Sequence, residues 1–293
     1  MLNKGVDMEV ILTRDKPGAE NQQGSERKIR SLVMEMKLNR RVVQHTLSLM
    51  VSLVIAALPS QAATLSLSGS SLSLSNFNQI PQSVTSLTNT NTFASAAASN
   101  ALDTANTLST AQALAIAEAN IILAPSPSVS NDSLSLALGQ GSSYSGLGQS
   151  QAQNLGTFFI EANQSLSFTF DSSLFLQAAT DNLSLENANS IGNLSFVVSD
   201  SESQYIYGFF DLFGNLATQN NDDFLNLQVG NNITLASAPS LQSAFGGTQE
   251  SAQASVSGSF DYLFTQPTTV TLSAFTGNQA NVQAVPENAN PIA

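Results

Sequence analysis

Residues 252–264, AQASVSGSFDYLF, carry a small or apolar residue at every second position, from Ala252 to Phe264. A period of two indicates a strand with one buried face. The same cadence recurs in 151–162, QAQNLGTFFIEA, and in 110–124, TAQALAIAEANIILA. Alanine also favours a helix, which stays the alternative for 110–124, but the recurrence favours a strand. The three segments predict neighbouring strands around a tapered core.

Further alternating segments lie between turn signals. Ser201-Glu202-Ser203 separates NLSFVVSD (193–200) from QYIYGFFDLFG (204–214), and Gly230-Asn231 separates DFLNLQV from NITLA. Both pairs are typical of hairpins. Roughly nine to twelve short strands at this spacing predict an all-β fold, an antiparallel β-sandwich of which the jelly roll is one form.

Charge is distributed very unevenly along the chain. All nine Lys and Arg residues lie in the first 41 positions, and the single His is His45. Of the 21 acidic residues, six precede Ala63, which leaves 15 beyond it with no basic partner. Nucleic-acid binding depends mainly on cationic side chains, so the sequence excludes nucleic acid as a partner of this region. Without ion pairs, apolar burial and hydrogen bonds must stabilise the fold.

The same composition limits catalysis. From Ala63 onward the chain has no His, Cys, Lys or Arg, so it offers neither a Ser-His-Asp triad nor a zinc site built on Cys or His. Asp103-Thr104-Ala105 does not match the Asp-Thr/Ser-Gly motif of aspartic proteases. A carboxylate pair for glycoside hydrolysis stays an alternative. We expect no enzymatic activity and no resident organic cofactor.

Calcium is the ligand that oxygen-bearing side chains would favour. Asn220-Asn221-Asp222-Asp223 gathers four of them in a predicted loop, and Asp222 and Asp223 are the candidate metal ligands. No EF-hand spacing accompanies them, and the alternative is a solvated turn before a strand.

An export signal precedes the strands. Lys37, Arg40 and Arg41 form a positive region before an apolar run of about a dozen residues at 47–58, shorter than the ~20 that span a bilayer. Pro59 and small residues follow, which predicts cleavage between Ala62 and Ala63. We therefore expect an exported protein of the periplasm, cell surface or extracellular space; a short buried helix or an uncleaved anchor is the alternative.

These signals divide the chain into five parts. Residues 1–35 form a leader whose translation is in question, and 36–62 form the signal peptide. A Ser/Thr/Asn-rich segment with edge strands is expected at 63–105 and the β-sandwich at 106–284, before a tail at 285–293.

The tail AVPENANPIA contains Val285-Pro286-Glu287. Together with the signal peptide and the cysteine-free, Ser/Asn-rich β region, it resembles the PEP-CTERM family of exported bacterial proteins. That family's sorting signal is Val-Pro-Glu-Pro, a transmembrane helix and a basic tail, processed by exosortase. Here Asn288 replaces the second proline and six residues follow Glu287, without helix or basic cluster. The resemblance implies exosortase as a partner only if that remaining tail exists, and it implies a setting of exopolysaccharide production.

The sequence thus predicts a non-enzymatic protein of the cell surface or extracellular matrix, in structural or adhesive contact with exopolysaccharide or with itself. Edge strands without Lys favour self-association. A calcium-assisted carbohydrate-binding module is the alternative, by analogy of fold.

Overall fold

The computed structural model describes residues 63–97, 109–203, 205–219 and 222–284. The elements in these ranges are thirteen strands, slightly more than the nine to twelve that the alternating pattern predicts: β1 (Ala63–Ser75), β2 (Ser83–Ala96), β3 (Thr110–Ile122), β4 (Ser128–Gln140), β5 (Tyr144–Ile160), β6 (Gln164–Ala179), β7 (Glu186–Asp200), β8 (Ile206–Ala217), β9 (Phe224–Val229), β10 (Ile233–Leu235), β11 (Ser240–Ala244), β12 (Gln249–Phe264) and β13 (Thr268–Ala284).

The strands form two antiparallel sheets that pack face to face. Sheet A has the order β10-β12-β6-β1-β4-β3, and β11 also pairs with β12. Sheet B has the order β2-β5-β13-β7-β8-β9. The predicted all-β sandwich is confirmed, with sheets of seven and six strands, whereas a jelly roll has eight strands in all.

Three expectations about strand arrangement were wrong. The cadence segments are β3, part of β5 and β12, and they are not hydrogen-bonded neighbours: β3 and β5 lie in opposite sheets, and three strands separate β3 from β12. Gly230-Asn231 joins β9 of sheet B to β10 of sheet A, so it is a crossing and not a hairpin. The reason is common to both: a period of two indicates a half-buried strand but carries no information about its neighbours.

The third wrong expectation is the boundary at residue 105, which separates a Ser/Thr/Asn-rich segment at 63–105 from the β-sandwich at 106–284. β1 is a central strand, paired with β4 on one side and β6 on the other, so it belongs to the same sandwich as 109–284. β2 does lie at an edge, as expected. The β7–β8 hairpin around 201–203 is confirmed, with a bulge after Val198.

One half of the interior is aromatic. Five phenylalanines from β6, β7, β8 and β12 are at most 2 % exposed, and their ring centroids lie 4.8–5.6 Å apart. We call them the phenylalanine core: Phe168, Phe170, Phe196, Phe210 and Phe260. Stacked and edge-on pairs of this kind stabilise a core beyond their buried area.

The other half of the interior is a polar seam, made of buried Ser and Asn side chains: Ser66, Ser68, Ser70, Asn131, Ser133, Ser135, Ser150, Asn154, Ser190 and Asn278. Ser68 donates to the Ile191 carbonyl at 2.6 Å, and Ser190 donates to the Leu67 carbonyl at 2.6 Å, so hydrogen bonds join the two sheets in both directions. Small side chains let the backbones approach closely here: a Cβ on Gly148 would lie 2.6 Å from the Leu114 carbonyl oxygen of the opposite sheet.

The first and last strands face each other at the middle of the sandwich. Ala63, which begins β1, pairs with Gln140 at the end of β4; Ala284, which ends β13, pairs with Tyr144 at the start of β5. Since β4 and β5 are joined by the short 141–143 connection, the start of β1 and the end of β13 lie at the same pole of the sandwich.

Candidate functional site

The outer surface of sheet B is rich in side-chain amides. Because buried residues of β5, β13 and β7 alternate with exposed or half-exposed ones, every second side chain points away from the interior. We call these outward amides the amide face: Gln149, Gln151 and Gln153 of β5, Gln279, Asn281 and Gln283 of β13, Asn187, Asn189 and Asn193 of β7, and Asn89 and Asn91 of β2. β2, β5 and β13 contain no charged residue.

Strand register aligns these amides into rows across the sheet. Asn91, Gln149 and Gln279 are direct cross-strand partners. The Asn91 Nδ2 donates to Gln149 Oε1 at 3.1 Å, and Gln149 Nε2 donates to Gln279 Oε1 at 2.9 Å. Each amide has two donors and two acceptor lone pairs, so these row bonds fix the side chains and leave capacity for a ligand.

Two aromatic rings lie against glycines on the same surface. A Cβ on Gly277 would meet Phe275 Cζ at 2.7 Å, and a Cβ on Gly230 would meet Phe209 Cδ1 at 2.4 Å. Each ring therefore occupies the space above a glycine and lies along the sheet. Both phenylalanines are half-buried, so each is supported by the sheet while part of it remains in contact with solvent.

The register gives the spacing of the two rings. Phe209 pairs with Val197, which pairs with Ser273, two residues before Phe275. Two strand spacings of ~4.8 Å and one two-residue step of ~6.8 Å place the Cα atoms of Phe209 and Phe275 about 12 Å apart, and each ring lies over a glycine on the side away from the other. Such a surface is amphipathic, with apolar platforms among hydrogen-bonding groups, and the carboxylate of Asp211 lies on the same face of β8 as Phe209.

The outer surface of sheet A has a different chemistry. Half-buried Leu134, Leu136 and Leu138 line β4, and Leu114 and Ile116 of β3 are 44 % and 51 % exposed. Amides in rows are thus a property of sheet B and not of the sandwich as a whole.

The predicted calcium ligands take separate positions. Asp222 is exposed, and its backbone carbonyl accepts a hydrogen bond from Asn215 Nδ2. Asp223 is half-buried, and its Oδ1 accepts from the Ala217 amide at 2.8 Å. Asn220 and Asn221 lie outside the described residues. Among the described residues, no group of three or more His, Cys, Asp or Glu is arranged to hold a metal ion.

Asp223 instead adjoins Glu250, a residue that the sequence analysis did not select. Glu250 is 3 % exposed, and its Oε1 accepts from the Gly246 amide at 3.2 Å. Burial, and then the charge of Asp223, raises the pKa of Glu250. Asp223 Oδ2 and Glu250 Oε2 are buried and receive no hydrogen bond from the described part of the chain. No sequence spacing links residues 223 and 250, because β9 and β12 lie in different sheets.

Other predicted positions are accounted for as follows. Ala63 begins β1, whereas Ala62 and the tail motif Val285-Pro286-Glu287 lie outside the described residues.

Glu186 is a buried acceptor for the β6–β7 loop, since its Oε2 accepts from Thr180 Oγ1 at 2.8 Å and from the Asp181 and Asn182 amides at 3.1 Å. The Glu186 carboxylate therefore already has hydrogen-bond partners within the protein's own loop.

Comparisons with known proteins give no relative. No protein-family model, no curated protein and no solved structure matches the chain. Within the ranges that the structure describes, no helix is long and apolar enough to cross a membrane.

Proposed function

We propose that the protein is an exported, non-enzymatic adhesion protein that binds neutral polysaccharide through the amide face. The observation that carries the proposal is the pair of Phe rings lying along the outer surface of sheet B, beside rows of amides on the uncharged strands β2, β5 and β13. The apolar faces of sugar rings pack on aromatic rings, and sugar hydroxyls exchange hydrogen bonds with amides. Two platforms on residues whose Cα atoms lie about 12 Å apart suit an extended chain of sugars better than a single ring.

Charge argues for a neutral polymer. The chain beyond Ala63 carries 15 carboxylates and no basic residue, so an acidic polysaccharide would be repelled. Export is supported by the position of the predicted cleavage point, since Ala63 is the first residue of β1 and cleavage there leaves every described strand intact. The PEP-CTERM resemblance supports the same setting.

Binding is tested by affinity electrophoresis of the full chain in gels containing neutral or acidic polysaccharides. We expect retardation by a neutral polymer, and a loss of affinity of at least about tenfold in Phe275→Ala, since a hot-spot truncation costs about 2 kcal/mol or more. Leu263→Ala, at a 59 % exposed position of β12 in the other sheet, is the matched control. Equal retardation of Phe275→Ala and the parent chain would contradict the proposal.

Calcium-assisted carbohydrate binding is the second candidate. Its support is the Asp223–Glu250 pair, whose two free buried oxygens have no basic neighbour anywhere beyond residue 41. Thermal melts with and without calcium separate the two candidates. Neutral-polysaccharide binding without calcium predicts that calcium changes neither Tm nor retardation. A calcium-induced rise in Tm of several degrees that Asp223→Asn abolishes would favour calcium-assisted binding.

The carboxylate-dependent glycosidase has less support, because Glu250 is too deeply buried to flank a sugar. Release of reducing ends from a polysaccharide would revive it.

A further inference from the structure

β2 and β3 form one side of the sandwich, and both are edge strands. β2 ends sheet B and β3 ends sheet A, and the two strands lie against each other across the interior. They are 14 and 13 residues long, without proline or basic residues, and Glu118 is their one charge. Every residue of β2 is exposed. Long edges with so little charge template pairing with another strand.

The opposite side of the sandwich has only short edge strands. Its edge strands β9, β10 and β11 are 6, 3 and 5 residues long. Since only one side offers long edges, association through it joins two copies and then stops, as in an isologous two-fold dimer.

The sequence of β2 is self-complementary about Thr90. A two-fold axis through Thr90 would pair residues whose numbers are equally distant from 90 in two antiparallel copies. Leu87 then meets Phe93, Asn89 meets Asn91, and Thr85 meets Ser95 on the outer surface. On the inner surface Thr88 meets Thr92. Each of these pairs matches apolar with apolar, amide with amide or hydroxyl with hydroxyl, which stabilises antiparallel neighbours, whereas Ser86 would meet Ala94.

The sequence of β3 is self-complementary about Ala115 in the same way. Leu114 then meets Ile116, Gln112 meets Glu118, and Ala113 meets Ala117. Leu114 and Ile116, 44 % and 51 % exposed in the single chain, would cover each other. The one acidic residue of these strands faces an amide and not a second carboxylate.

The two centres lie at the same level of the sandwich. Thr90 pairs with Ser150 and Ala115 pairs with Ser135. The hydroxyls of Ser150 and Ser135 hydrogen bond to each other across the sheets at 2.9 Å. One two-fold axis perpendicular to the sheets can therefore pass by both Thr90 and Ala115, and it satisfies both registers at once.

We propose that two copies of this chain pair edge to edge about that axis, β2 with β2 and β3 with β3, to give a dimer with two continuous sheets. The partner is thus a second copy, recognised by backbone hydrogen bonding along both edges and by the matched side-chain pairs. The rings of Phe209 and Phe275 lie on strands of sheet B inside its edges, so only Asn89 and Asn91 of the amide face also belong to this pairing.

The register is tested by disulfide formation, because the chain contains no cysteine. Directly opposed residues of antiparallel strands have Cα atoms ~4.5–5.5 Å apart, within the ~4.4–6.8 Å range of disulfides. Thr90→Cys is expected to give a covalent dimer on mild oxidation of the full chain. Leu87→Cys alone is not, since the two copies of residue 87 would be six residues, about 20 Å, apart along the strands. Leu87→Cys with Phe93→Cys is expected to cross-link again.

Sedimentation equilibrium tests the dimer without cross-linking. The parent chain is expected to be dimeric, and Thr90→Lys, which sets two ammonium groups together on the axis, is expected to weaken dimerisation at least tenfold. Asn226→Lys, on the short edge strand β9, is the matched control and is expected to stay dimeric. A monomeric parent chain, an unaffected Thr90→Lys, or equally rapid cross-linking of Leu87→Cys alone would overturn the proposal. Phe275→Ala is expected to leave sedimentation unchanged, so the two proposals fail independently.

Discussion

The phenylalanine core and the polar seam fill the same sandwich in opposite ways. In the first, rings fill the space between the sheets and make no hydrogen bonds. In the second, Ser and Asn side chains of two to four heavy atoms form hydrogen bonds between the sheets, as Ser66 does to the Asn189 carbonyl at 2.5 Å. Sheets usually pack about 10 Å apart, and small residues at the seam allow a closer approach. The comparison shows that side-chain size sets the local distance between the two sheets. Where little apolar volume is buried between them, hydrogen bonds hold the sheets together.

The largest effect is expected in the phenylalanine core. Phe196 contacts the rings of Phe168, Phe170 and Phe210 and is 0 % exposed, so Phe196→Ala leaves a cavity. We expect a loss of about 3–5 kcal/mol in the free energy of unfolding. Urea denaturation followed by circular dichroism measures it. Phe275→Ala is the matched control at an outward position and is expected to cost far less; equal losses would show that the core is not centred on these rings.

At the polar seam, Asn278 has the most connections. Its Nδ2 donates to Ser70 Oγ at 2.8 Å and to the Ser133 carbonyl at 2.9 Å, and its Oδ1 accepts from Ser68 Oγ at 2.5 Å. Asn278→Ala leaves buried polar groups without partners, and we expect it to lower the free energy of unfolding by about 1–3 kcal/mol.

A double-mutant cycle separates hydrogen bonding from packing at this site. If Asn278 acts through its bond to Ser70, the loss in Asn278→Ala/Ser70→Ala is smaller than the sum of the single losses. Strict additivity would indicate that the seam is held by packing alone.

The close approach of the sheets is tested at Gly148. An added Cβ would lie 2.6 Å from the Leu114 oxygen and 3.0 Å from the Leu136 oxygen, both backbone atoms that cannot rotate away. Gly148→Ala is expected to cost about 1–3 kcal/mol in urea denaturation. Gly156→Ala on the same strand meets a ring carbon of Phe158 at 3.2 Å, which is a milder contact. A smaller loss at 148 than at 156 would contradict the narrow seam.

The smallest effect is a pH dependence from the Asp223–Glu250 pair. Because burial raises the pKa of Glu250 in the folded state, its contribution to stability is complete below its unfolded pKa of ~4.5 and is lost as the pH rises through the folded value. Glu250→Gln is expected to raise Tm at neutral pH slightly and to flatten its decline from acid to neutral pH. Glu161→Gln, at an exposed turn, serves as the control, and parallel pH profiles of the parent and Glu250→Gln would refute the assignment.

The pattern of alternating residues was enough to predict most of the strands and the all-β class. It predicted little about which strands pair with each other. The segment 110–124 is a strand because its alanines face the interior at spacing two, and the β7–β8 hairpin follows from its short loop. Pairing between distant strands depends on matched surfaces that one strand's sequence does not reveal, so the central place of β1 was missed. The amides of 149–153 and 279–283 could be read in the sequence as alternating, but their alignment with Asn91 appears only once the register is known.

The shared pole of the start of β1 and the end of β13 has a practical consequence for display. A reporter fused before Ala63 or after Ala284 would sit at one extremity of the sandwich, next to the 141–143 connection. The broad surface of sheet B and the long side formed by β2 and β3 both run lengthwise away from that point. Attachment of the sandwich at Ala63 or Ala284 would therefore leave both of these surfaces facing sideways and open to large molecules.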